Sequence, residues 1–274
     1  MMFSVVSSIQ KNDMSVIYGI HPVAEALKAR GRAFEYVAVL SERQDSRLNR
    51  IVEACRAARV PVRQLPREQL NRLAEGGTHQ GVVAVTSEKQ YVGLENLLEQ
   101  QRGQYRFLLV LDGVEDPHNL GAIIRTADAT GVDGIILPER RAVGVTGAVT
   151  KASAGASEYM PIARVVNISR ALEELKEKNI WTVGLDERGP QSYEQTDFAM
   201  NCALVLGAEG KGLHEQVRKK CDFLVSIPML GRVPSLNVSV AAAVVMYEIA
   251  RQRREKKTRA TKSEKAASTA GERE

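Results

Sequence analysis

The chain has 274 residues, 44% of them hydrophobic and 26% charged, with a formal net charge of +5 and three cysteines. That length suffices for one large domain or two ordinary ones with a packed core, which excludes disorder throughout, and no run of about 18 or more uncharged apolar residues offers a helical membrane span. Cys55, Cys202 and Cys221 are odd in number and far apart, so they fit neither a disulfide framework nor a zinc site and read as structural thiols of a soluble cytoplasmic protein.

Met1 to Asp13 lack a basic start, a long apolar centre and a small-residue cleavage site, and are expected to form a disordered N-terminus rather than a signal peptide. Residues 14–88 alternate short helices and β-rich runs. Pro22–Ala29 is expected to be helical and Tyr36–Leu40 extended. Ser46 is expected to cap a helix bearing Leu48, Ile51, Val52 and Cys55, with strands following at Val60–Leu65 and Val82–Thr86. Residues 89–106 turn polar and read as a linker with one short helix, Glu95–Gln101.

Phe107–Leu111 then opens a βα series in residues 107–253. The pattern predicts helix 119–130, strand 134–137, helix 168–178, strands 181–185 and 202–206, helix 213–219, strand 223–227 and a helix from 236 to about 253. Strands alternating with helices imply an α/β fold with a mostly parallel sheet covered on both faces. Residues 254–274 lack periodic apolar positions and are expected to be a disordered basic tail.

The charge is unevenly spread. Residues 14–90 hold twelve Lys+Arg against eight Asp+Glu, ten of the twelve being arginine, and residues 251–274 hold nine against four, whereas residues 91–250 hold sixteen against twenty. Arginine makes planar, bidentate phosphate contacts and stacks on bases, so an arginine-rich front module suits RNA better than a membrane surface.

Three stretches place polar residues at the ends of apolar runs: Asp116-Pro117-His118-Asn119 leading to Arg125, Leu206-Gly207-Ala208-Glu209-Gly210-Lys211-Gly212-Leu213, and Ile227-Pro228-Met229 leading to Ser235-Leu236-Asn237-Val238-Ser239. In parallel sheets, ligands collect beyond the carboxyl ends of the strands, so one shared site is expected. Asn119 precedes Leu120, Ile123, Ile124 and Ala127 on one helical face and reads as an N-cap, with Arg125 off that stripe. Ser235 or Asn237 reads as the cap of the last helix. The glycine-rich stretch is not a phosphate loop, because Val205 stands five residues before Gly210 and Gly212 follows Lys211 where Ser or Thr is needed; the dinucleotide fingerprint fails as well. His118 reads as a local structural histidine and His214 as a surface helix residue, while His21 and His79 fall in the front module.

In order and spacing these three stretches resemble the motifs of the SpoU (TrmH) branch of the SPOUT RNA methyltransferases. Tyr18-Gly19-Ile20-His21-Pro22 and Thr78-His79-Gln80-Gly81-Val82 resemble the ends of the L30e-like α/β substrate-binding domain that precedes many members. The resemblance implies a SPOUT domain with a C-terminal trefoil knot, S-adenosylmethionine as methyl donor with no metal, a homodimer, and methylation of a ribose 2′-hydroxyl. It implies a guanosine in 23S ribosomal RNA as acceptor, with transfer RNA as the alternative. Gly207, Ile227 and Leu236 then correspond to donor contacts, and Asn119, Arg125, Glu209, Ser235 and Asn237 to residues around the acceptor ribose. An arginine with a pKa above about 12 is a poor free base, so Arg125 is expected to grip phosphate and favour the developing alkoxide.

Overall fold

The structure is a computed structural model that describes residues 14–41, 45–210 and 212–271. The N-terminus expected to be disordered lies outside the described residues. Two compact units result, the first made of residues 1–91, 116–125 and 143–160 and the second of residues 92–115, 126–142 and 161–274.

The first unit opens with β1 (Met14–Tyr18), α1 (Ile20–Ala29), β2 (Phe34–Leu40), α2 (Ser46–Ala57), β3 (Val62–Leu65), α3 (Arg67–Leu73) and β4 (Val82–Ser87). The strands form one sheet in the order β1-β4-β2-β3, antiparallel except where β3 joins β2. Alternation along β2 sends Val37 and Val39 to the face covered by α1 and α2, and Tyr36, Ala38 and Leu40 to the face covered by α3. The cap of α2 is Asp45, not Ser46: its carboxylate accepts from the amide of Arg47 at 2.9 Å. A charged oxygen one residue earlier satisfies the open amide more strongly than the serine hydroxyl.

Residues 143–160, including α6 (Gly147–Ala152), pack on this module, so closely that a Cβ on Gly147 would overlap the Val16 carbonyl oxygen. A buried ion pair holds them. Arg32 Nε and Nη2 donate to the two carboxylate oxygens of Glu158 at 2.8 and 2.9 Å, and both side chains are 1% exposed. Arg32 Nη1 also donates to the Ser87 carbonyl, and Lys89 Nζ to that of Glu158. Elsewhere in the module, His79 Nδ1 accepts from the Gly81 amide, so its Nε2 carries the proton and donates to Asn71 Oδ1 at 2.9 Å. This holds the turn at Gln80 (φ 55°).

The second unit contains α4 (Leu94–Glu99), β5 (Phe107–Asp112), β6 (Gly134–Pro138), β7 (Ile162–Val165), α7 (Ile168–Glu177), β8 (Trp181–Leu185), β9 (Gln191–Ser192), β10 (Cys202–Gly207), α8 (Glu215–Lys220), β11 (Phe223–Ser226) and α9 (Val238–Gly271), with α5 (Pro117–Thr130) running from one unit into the other. Every strand pairing is parallel, in the order β7-β6-β5-β10-β8-β11-β9. One face, with Leu108, Val110, Ala203 and Val205, packs on α4, α7 and α8. The expected linker is therefore partly core, since Leu97 and Leu98 join this cluster. The opposite face meets α9, whose Arg253 reaches Cys202 Sγ at 3.4 Å and donates to the carbonyls of Tyr105, Arg106, Phe198 and Met200. Cys55 and Cys202 are buried free thiols and Cys221 is partly buried; desolvation pushes all three up, Cys221 to about 12.

Two expectations differ at helix ends. Asn119 does not cap α5: the helix begins at Pro117, and Asp116 accepts from the His118 amide at 3.0 Å, because proline suits the first helical position and Asp116 stands directly before it. The stretch from Arg254 expected as a disordered tail continues α9 to Gly271. Its Arg, Lys, Glu and Ala are strong helix formers with no proline or glycine before Gly271, and Arg251–Glu255 adds an i,i+4 ion pair.

Arg32→Ala leaves the Glu158 carboxylate buried without its partner, and is expected to cost about 3–5 kcal/mol in urea unfolding, whereas the double replacement Arg32→Met/Glu158→Leu recovers most of it. A loss below about 1 kcal/mol, the scale of a surface pair, would show that the pair does not dock residues 143–160. Burial, with a smaller push from Arg67, holds the His79 imidazole below the usual histidine range. A depressed folded pKa means stability that is complete above about pH 6.5, the unfolded value, and is lost as pH falls through the folded one. His79→Gln should flatten that part of the stability–pH curve.

Candidate active site at the carboxyl ends of the sheet

Parallel pairing sets the carboxyl ends of four strands along one edge. Gly207 is in register with Asp112, Leu206 with Leu185, and Leu185 with Val225. The loops leaving β8, β10 and β11 therefore emerge as neighbours.

After β10 the chain turns back on itself. The Ala208 amide donates to the Gly212 carbonyl at 3.0 Å and the Gly212 amide to the Ala208 carbonyl at 2.9 Å, with Gly210 at φ 74°. Gly207 lies directly against this return, where a Cβ would overlap the carbonyl carbon and oxygen of Gly212 and the amide nitrogen of Leu213. Only glycine allows so close an approach of two backbones.

The loop reaches the start of α9. Asn237 Nδ2 donates to Glu209 Oε1 at 3.2 Å, while Asn237 Oδ1 accepts from the Ser239 amide at 2.9 Å and from its hydroxyl. Asn237, rather than Ser235, is thus the cap of α9, and one side chain both starts the helix and anchors the carboxylate. These loops enclose a cleft of about 900 Å³, within the range of small-molecule sites. Gly207, Glu209, Ile227, Ser235 and Leu236 all line it. Asn237 contacts it through Glu209. Asn119, buried, and Arg125, exposed, stand on the first turns of α5 and fall in the first unit.

The cleft also has a wall that sequence reasoning missed: Asp186, Glu187 and Arg188, in the loop leaving β8. Arg188 Nε and Nη2 donate to the two oxygens of Asp186 at 2.9 and 3.0 Å, and this pairing holds the Asp186 carboxyl below its ordinary range. The available signal was a charged tripeptide at a strand end, the position that the other motifs share. His214 is the residue before α8. Its Nδ1 lies 2.9 Å from Asp112 Oδ2, which also accepts from its amide, so it is tied to the end of β5. His118 is exposed and not packed.

Comparison with known proteins fits this arrangement. Residues 106–247 match the SpoU rRNA Methylase family, and residues 16–92 match the RNA 2′-O ribose methyltransferase substrate-binding family. The chain belongs to the SpoU methylase family. A Bacillus subtilis protein described as a TrmH family tRNA/rRNA methyltransferase is 42% identical over 239 residues, covering 86% of this chain and 95% of the relative, and a Staphylococcus aureus protein of the same description is 41% identical over 241 residues, covering 87% and 96%. Among solved structures, the SpoU methyltransferase AviRb from Streptomyces viridochromogenes, in complex with the cofactor AdoMet, superposes with a TM-score of 0.76 at 28% identity, covering 89% of this chain and 91% of that one. A structure described as an RNA 2′-O ribose methyltransferase gives 0.73 at 26% identity, covering 88% and 89%. The SpoU methylase described here is thus an RNA methyltransferase.

Gly207→Ala must displace the 212–213 backbone and is expected to lower stability by about 1–3 kcal/mol, the cost of overpacking. Gly231 lines the same cleft, but a Cβ there meets nothing within 4 Å. Gly231→Ala should stay within about 0.5 kcal/mol of wild type in the same denaturation series. Equal effects at both positions would remove the backbone contact as the explanation.

Proposed function

We propose that this SpoU methylase transfers the methyl group of S-adenosylmethionine to a ribose 2′-hydroxyl, on a guanosine of 23S ribosomal RNA. The observation that carries the reading is the meeting of the β10, β11 and pre-α9 loops around one cleft, with Glu209 hydrogen-bonded to Asn237. The donor fits a site of this kind: Gly207, Ile227 and Leu236 all line the cleft, and the last two offer apolar surface to it. When bound, S-adenosylmethionine supplies an electrophilic methyl on a sulfonium cation, and no metal is called for.

The protein's own work is to hold and polarise the acceptor. Arg125 grips the phosphate next to the target sugar, and its fixed charge favours the oxygen anion left when the 2′ proton departs. Asn119, Glu209, Ser235 and Asn237 position the ribose and base. Because Asn237 also caps α9, the Glu209 carboxylate is held at a helix start rather than on a mobile tip.

The reading includes a trefoil knot in the C-terminal part of the SPOUT domain. The insertion of β10 between β5 and β8, strands that precede it in the chain, supports it. It also includes a homodimer, supported by the uncovered apolar side chains Leu230, Val233, Val240 and Tyr247. Transfer RNA is the second acceptor class, favoured by the tRNA/rRNA description of the 42% identical relative.

In single-turnover methylation at saturating RNA, Arg125→Ala is expected to slow transfer by about 10²–10³-fold, the usual loss for one transition-state donor, with S-adenosylmethionine affinity unchanged by calorimetry. A near-normal rate would take Arg125 out of the chemistry. Ribose-methylation mapping of ribosomal and transfer RNA from cells lacking the gene decides the acceptor.

A further inference from the structure

Seven arginines and no lysine fall between Ser46 and Leu73, against only two acidic residues, Glu53 and Glu68. The fold wraps this stretch around one edge of the four-stranded sheet. β3 is the edge strand, α2 covers one face beside it and α3 the other. Arg47 pairs with Asp45. Arg50, Arg56, Arg59, Arg63, Arg67 and Arg72 are exposed, and among the described residues none lies within ion-pair distance of a carboxylate.

Elsewhere several exposed helix cations of this protein are compensated. Arg170 meets Glu174, Lys220 meets Glu173, Arg218 meets Glu215, and Arg251 meets Glu248 and Glu255. A stretch with a surplus of five positive charges repels itself and gains free energy by binding a polyanion. Arginine supplies a fork of in-plane donors that matches phosphate, and Arg63 shows how one is held ready. Its guanidinium lies 3.7 Å over the Tyr36 ring, a contact that uses the face of the group and leaves the in-plane N–H donors available.

We propose that the α2–β3–α3 edge is the surface on which the RNA backbone docks, reading phosphates rather than bases. This rests on RNA being the substrate, and it adds where the binding energy comes from. The test uses the full chain and a ribosomal RNA fragment, with affinity measured against salt concentration. For Arg56→Gln/Arg63→Gln/Arg67→Gln, the slope of log affinity against log salt should fall by about 2–3, as each lost phosphate contact removes about 0.7–0.9. RNA affinity should drop at least about tenfold at physiological salt and KM should rise, while kcat at saturating RNA and S-adenosylmethionine affinity hold. A control triple on other helices, Arg170→Gln/Lys178→Gln/Arg218→Gln, should leave the slope alone. A wild-type slope and affinity in the first triple, or an equal loss in the control, overturns the proposal. So does loss of binding to anionic vesicles with RNA binding intact, which would mark a membrane contact. A wild-type protein that binds RNA but transfers no methyl group sinks the enzymatic reading instead, and the salt slope still tests this edge.

Discussion

The backbone-to-backbone approach of Gly207 to Gly212 and Leu213 is the constraint on which the site depends. It folds the chain leaving β10 straight back over the strand end, closed by the paired Ala208 and Gly212 hydrogen bonds. That return puts Glu209 where Asn237 can bind it, and Asn237 is in turn committed as the cap of α9. A side chain at position 207 would break this chain of dependence at its first link. The loop therefore gains its definition from a missing atom at Gly207, with Leu213 buried in the core where the return ends.

Polar contacts do the docking that apolar burial alone would leave unspecific. Residues 143–160 lie between β6 and β7 in the chain, yet they pack on the front module through Arg32 and Glu158. A buried pair gains little net stability, since desolvation offsets most of the attraction, but a mis-docked segment would leave two charges stranded. The geometry is thus enforced by the penalty for getting it wrong. The α9 helix is held by the same logic, with Arg253 directing its donors to the backbone carbonyls of Tyr105, Arg106, Phe198 and Met200.

Much of this was legible because it is local. The alternation of apolar runs gave the parallel sheet, and the three polar stretches mark strand ends and a helix start. What escaped were features that depend on neighbours distant in sequence. β1, β7 and β9 are too short or too mixed to show a period; they become strands by pairing with β4, β6 and β11. α3 and α6 span only seven and six residues, too few for an apolar stripe to stand out. Asn119 reads as a cap in the sequence because the apolar periodicity starts after it, whereas the backbone commits two residues earlier at Pro117. Asp186 and Arg188 join the cleft only because β8 lies beside β10, an adjacency that no stretch of sequence near them records.

In the proposed reading, charge separates the labour between binding and chemistry. Residues 91–250, which carry every residue lining the cleft, have more acidic than basic side chains, and on their own they would repel a polyanion. Such a site gains by not gripping RNA strongly: attraction felt equally by ground state and transition state does nothing for the chemical step. On the proposed docking edge, attraction is supplied instead by the arginines of residues 46–73, acting on phosphates of the RNA backbone. It can raise occupancy without flattening the difference between ground state and transition state on which the chemical step depends. The surplus of arginine in residues 46–73 and the acidic excess of residues 91–250 are then two sides of the proposed arrangement, in which affinity is delivered by one part of the chain and selectivity for the reacting geometry by another.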